Sequence, residues 1–157
     1  MIPLRDSAHS ANFPIITVII IALNSLIFLY EISLGEAGMS ELVYIFGLVP
    51  IYYSDHHVSF MGYLPFISST FLHGSWMHLI GNMLYLWVFG NNIEDIMGHG
   101  RFIVFYVGCG ILAALSHAVT DPTSTVPMVG ASGAISGVLG AYLLLFPHAR
   151  VLLIAPI

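Results

Sequence analysis

Charge is what this sequence has least of. Aspartate, glutamate, lysine and arginine together make up 7% of its 157 residues, where a soluble domain carries about 25%. Only three residues are cationic, Arg5, Arg101 and Arg150, and lysine is absent. Nucleic acids and anionic surfaces are held by basic footprints, so a DNA- or RNA-binding function is excluded. Cysteine occurs once, as Cys109 inside an apolar run, so no intrachain disulfide can form and no cage of thiolates can hold zinc. Apolar residues fill the space that charge leaves: 58% of the chain is hydrophobic and the mean hydropathy is +0.94. Such a chain is embedded in a lipid bilayer.

The apolar residues fall into long runs. The first, about 13–30, is long enough for a bilayer that asks for roughly 20 apolar residues, or about 17 at the short end. Tyr30-Glu31-Ile32-Ser33 offers no small-x-small cleavage site, so the run is expected as a retained helix after a cytoplasmic amino-terminal tail, 1–12. A second run lies within 64–97, a third covers 101–119, a fourth 132–146, and another begins after Arg150 and reaches Ile157. The expected fold is therefore all-α. It is a polytopic transmembrane helical bundle over 13–157, with four spans and the start of a fifth. Loop 31–63 is long for an idle connection. Its stretch 42–53 is apolar and aromatic, fit either to lie in the membrane interface or to pack as a short helix.

With the amino terminus inside, alternation brings the 98–100 and 147–150 turns to the same side, together with Arg5, Arg101 and Arg150. All three cations then obey the positive-inside rule, which gives an N-in topology. The acidic residues Glu31, Glu36, Glu41, Asp55 and Asp121 fall outside, where they weigh little. His73, His78 and Asn82 then lie near the outer end of the second span, and Gly130, Ser132 and Gly133 at the outer end of the fourth. Helix 132–146 is about 22 Å long at 1.5 Å per residue, against a hydrocarbon core of about 30 Å. Ser132 should sit below the outer surface, with 127–131 entering the membrane as non-helical chain. Such chain is tolerated only where protein covers it or water fills a cavity, which implies a buried, water-accessible pocket.

A serine becomes a nucleophile when a base takes its proton and donors receive the oxyanion that forms on the attacked carbonyl. At a helix start, the N–H of Ser132 and those after it lack intrahelical partners, and the helix dipole favours negative charge there. His78 and Asn82 are spaced i, i+4, so one helical face carries both at the same depth and could complete an oxyanion hole. Plainer readings stand beside this one. Gly133-x-x-x-Gly137 with Ser132, Ser136 and Gly140 also makes a small-residue packing stripe, and His78 with Asn82 could be an interhelical hydrogen-bonded pair. Gly130-Ala131-Ser132-Gly133-Ala134 departs from the hydrolase elbow G-x-S-x-G at Ala134, and no strand precedes it. Of the eight histidines, His9, His56, His57, His99 and His148 fall in tails, loops or helix ends, and His73 and His78 miss the i, i+4 spacing of helical zinc pairs. No metal, haem or other cofactor is expected. His117, at the outer end of the third span, is expected to face water.

The run Phe71-Leu72-His73-Gly74-Ser75-Trp76-Met77-His78-Leu79-Ile80-Gly81-Asn82 resembles the second-helix motif of the rhomboid intramembrane serine proteases, H-x-x-x-x-H-x-x-x-N. Gly130-Ala131-Ser132-Gly133 matches their G-x-S-G, and Phe89-Gly90-Asn91-Asn92-Ile93-Glu94-Asp95-Ile96-Met97-Gly98 resembles the bacterial continuation between them. The likeness covers about 64–150. It implies Ser132 as nucleophile, His78 and Asn82 as side-chain oxyanion donors, His73 as support for the pocket and first loop, and Gly130 and Gly133 as points of close backbone approach. It also implies cleavage of transmembrane substrates near their outer ends, without metal or cofactor, in a bacterial cytoplasmic membrane. Two departures stand out. The dyad histidine that the family carries on its sixth helix has no counterpart, and His148 is about 24 Å away along sixteen helical residues. The Trp-Arg pair that many members carry in the first loop is also absent. The sequence is accordingly expected to be a truncated rhomboid, inactive as it stands, or else a four-helix rhomboid-like protein that binds transmembrane partners without cutting them.

Overall fold

The computed structural model describes residues 2–8, 10–54 and 59–154. His9, Asp55, His56, His57 and residues 155–157 of the last apolar run lie outside the described residues. Helix takes most of the chain, because among apolar side chains the backbone must find its hydrogen bonds internally. Helices α1 (Ile15–Ser33) and α6 (His99–Thr120) are each long and apolar enough to cross a membrane. Pro14 opens α1, and the helix runs past the expected end at 30 to include Glu31.

Loop 31–63 folds in pieces. Helix α2 (Gly35–Phe46) carries no buried residue, so it rides on the surface. Leu48, Val49 and Pro50 are buried behind it, and Pro50–Tyr53 makes a 3-10 turn. The stretch 42–53 is thus not one packed helix, since Gly47 ends α2 in extended backbone. After a short helix α3 (Pro65–Ser68) and a 3-10 turn (Ser69–Phe71), the second run becomes α4 (Trp76–Tyr85), a π turn (Leu86–Gly90) and α5 (Asn91–Met97), end to end. Gly98, at φ 76°, turns the chain directly into α6. Helix α7 (Ser132–Leu145) follows the 127–131 segment.

The core is where α6 and α7 meet α4, the π turn and α5. Phe102, Tyr106, Ala134, Val138, Leu86 and Ile93 are fully buried there. The small residues of α7 allow the approach: a Cβ on Gly133 would strike Ala113, and one on Gly137 would strike Cys109. The packing stripe therefore continues along α7 from the last two residues of the G-x-S-G motif, with Ser132 and Gly133 in both.

Polar side chains tie the other end. Glu94 of α5 accepts hydrogen bonds from the Ile16 and Thr17 N–H groups at 2.8 Å each and from Thr17 Oγ1 at 2.7 Å, and it faces His99 Nδ1 at 2.6 Å. It satisfies donors that the first turn of α1 leaves without intrahelical partners. Asp6 accepts from Tyr142 and from Asn92 Nδ2.

One expectation about secondary structure is corrected. Val151–Ile154, read as the opening of a fifth span, is a strand (β2) paired antiparallel with β1 (Ile2–Asp6). Nucleating a helix fixes several residues for a single hydrogen bond; here the extended backbone finds its partners in β1 instead. The fold is helical with a two-stranded sheet, not purely α.

Candidate active site

Two pieces of chain build the site. The first is the start of α4. Ser75 is its N-cap, and its Oγ accepts the His78 N–H at 3.2 Å. Starting the helix at Trp76 puts His78 in the first turn and Asn82 one turn further along the same face. Asn82 is buried, and its Nδ2 lies 3.0 Å from Nε2 of His73, which is fully buried just ahead of the helix. An amide nitrogen only donates, so Nε2 accepts and the His73 proton resides on Nδ1. The His73 ring also meets the ring of His78 edge-on, 5.1 Å between centroids.

The second piece is the turn ahead of α7. Leu48 and Met128 exchange backbone hydrogen bonds at 3.0 and 2.8 Å, and the Gly130 N–H reaches the Ser69 carbonyl at 2.8 Å. Non-helical backbone is thus covered by protein, as the sequence required of it. Gly130 adopts φ +119°, and a Cβ there would lie 2.5 Å from Cε1 and Nε2 of His78 and 3.5 Å from Nδ2 of Asn82. Two motifs some fifty residues apart are in contact through that one glycine. Ala131 is fully buried, and Ser132 begins α7; the first N–H bonded back along the turn is that of Ile135, to the Ala131 carbonyl.

Ser132 is exposed and borders a cavity of about 170 Å³ whose walls include Thr70, Gly110, Gly130, Gly133 and Ala134. Its carbonyl accepts from Ser136 Oγ at 2.8 Å, and among the described residues no side chain is hydrogen-bonded to Ser132 Oγ. His148 lies beyond the opposite end of α7. His117 sits in the last turn of α6 with its side chain half-buried. Among the described residues no three His, Cys, Asp or Glu side chains gather as a metal site.

The six candidates thus occupy one region. His78 and Asn82 meet the Gly130 turn, His73 backs Asn82, and Ser132 and Gly133 follow on α7. Glu31 is the residue that sequence reading passed over. It is fully buried and accepts the His73 N–H at 3.2 Å. An acidic residue near the end of an apolar run was the available signal.

The family model for the rhomboid domain matches residues 59–157. Over 132 residues the chain is 36% identical to the rhomboid protease GluP of Bacillus subtilis, covering 83% of this chain and 24% of that protein. It is 39% identical over 77 residues to the putative rhomboid protease YdcA of the same bacterium, covering 49% of this chain and 38% of that one. It is 37% identical over 94 residues to rhomboid protein 1, mitochondrial, of Saccharomyces cerevisiae, covering 57% and 27% respectively. The chain spans less than two fifths of the length of these curated relatives.

Proposed function

The chain belongs to the rhomboid family, and from that premise we propose that it forms the site of a serine endopeptidase that cleaves transmembrane protein substrates within the bilayer. The observation that carries the reading is the close approach of the Gly130 backbone, two residues ahead of Ser132, to His78 and Asn82, where a Cβ would lie 2.5 Å from the imidazole and 3.5 Å from Asn82 Nδ2. Ser132 Oγ attacks the scissile carbonyl. The oxyanion forms beside the free N–H at the start of α7 and is held by the side chains of His78 and Asn82, donors fixed before the charge develops. Small walls around the cavity suit a small substrate side chain. Residues 13–157 serve as the membrane domain, four spans with the amino terminus inside, in a bacterial cytoplasmic membrane. Ser132 lies at the outer end, and no cofactor takes part.

These residues leave one role open, the base that takes the Ser132 proton. A second reading is a rhomboid-like protein that holds transmembrane partners without cutting them. The two separate in membranes containing the full-length protein and a tagged single-span reporter. Proteolysis requires that wild type cut the reporter and Ser132→Ala leave it whole. Equal cleavage by both overturns the nucleophile assignment, and equal capture with no cleavage favours the binder.

A further inference from the structure

Glu31 is a fully buried acid that the chemistry above does not use. A carboxyl group near the end of an apolar helix is costly to bury unless its oxygens are occupied or it serves a purpose. Oε2 accepts the His73 N–H from 42 residues away, while Oε1 has no hydrogen-bond partner among the described residues. His73 needs such a hold. Leu72 before it is extended and α4 does not begin until Trp76, so no helical hydrogen bond fixes this stretch of backbone. Its ring nonetheless takes part in two contacts that shape the site, 3.0 Å to Asn82 Nδ2 and edge-on to His78.

We propose that Glu31 is a positioning residue for the oxyanion pocket. By fixing the backbone of His73 it sets the imidazole that receives one N–H of Asn82, which leaves the other N–H of Asn82 for the Gly130 side and the reacting carbonyl. An amide hydrogen bound to a carboxyl oxygen, a ring nitrogen bound to an amide, and the amide itself form one line from α1 to the Ser132 turn. The inference rests on the proteolytic reading of the same site.

A double-mutant cycle tests it, with kcat and KM measured for reporter cleavage by the full-length protein and scaled to the folded fraction in detergent. Glu31→Ala should lower kcat up to about tenfold, the effect of one ordinary hydrogen bond, with KM unchanged. Glu31→Gln, whose amide oxygen can still accept from His73, should restore most of the rate. Because Glu31 acts through Asn82, Glu31→Ala should cost nothing further in an Asn82→Ala background. If Glu31→Ala does not fold, Glu31→Asp, one methylene too short to reach His73, replaces it in the same cycle. If Asn82→Ala lowers kcat but the Glu31 substitution does not, or if the two losses multiply, Glu31 is only structural and the inference is wrong. If Asn82→Ala itself leaves kcat unchanged, the oxyanion reading fails and the inference fails with it.

Discussion

The backbone of Gly130 lies so close to the imidazole of His78 that a Cβ at this position would stand 2.5 Å from two ring atoms. That proximity turns two sequence motifs into one site. It also makes Gly130 a sensitive backbone position, because its φ of +119° is one that residues with side chains rarely adopt.

Gly130→Ala should therefore fail twice, through backbone strain and through displacement of His78. Reporter cleavage should fall about 5- to 150-fold, the equivalent of the roughly 1–3 kcal/mol that such a conformation costs a residue with a side chain. Comparing the cleavage rate per folded molecule with that of Gly74→Ala, where an added Cβ meets nothing within 4 Å, isolates the effect.

Asn82→Ala should lower kcat by about 10²–10³, the usual loss for one oxyanion donor, with little change in KM. Stopped-time cleavage assays over a range of reporter density in the membrane give both constants. An unaltered kcat would leave Asn82 a packing residue.

How much of this was legible without coordinates differs from residue to residue. The i, i+4 spacing of His78 and Asn82 and the helix start at Ser132 are local properties of the chain, and both were readable. The need for cover over 127–131 followed from helix length alone, yet which residues provide it, Leu48 and Ser69, did not. The role of Glu31 was not legible because its partner lies 42 residues away, across a loop whose path no periodicity encodes. Strand β2 was misread because a short apolar run carries the same signal whether it is extended or helical.

Glu94→Ala should destabilise the fold without touching the reacting atoms. The residue is 1% exposed and accepts from Ile16, Thr17 and the Thr17 hydroxyl, so its loss leaves buried donors unsatisfied, a cost of about 2–5 kcal/mol. Unfolding in detergent, followed by circular dichroism, should show a lowered midpoint, and Thr17→Val a smaller drop of the same sign.

Gly137→Val should part α6 from α7, because even the first carbon of a side chain there would overlap Cys109. Overpacking of this kind costs about 1–3 kcal/mol. Adding Cys109→Ala to the same chain should recover part of the lost thermal stability, and failure to recover any would place the helix contact elsewhere.

The most direct test of the central claim is to locate the nucleophile chemically. The full-length protein in membranes is incubated with an alkyl fluorophosphonate, and the adduct is mapped by peptide mass spectrometry. The account requires one adduct, on Ser132, absent from Ser132→Ala and slower to form in Asn82→Ala, whose oxyanion pocket has lost a donor. A preparation that cleaves the reporter while its adduct forms on another residue, or while Ser132 stays unmodified, would contradict it.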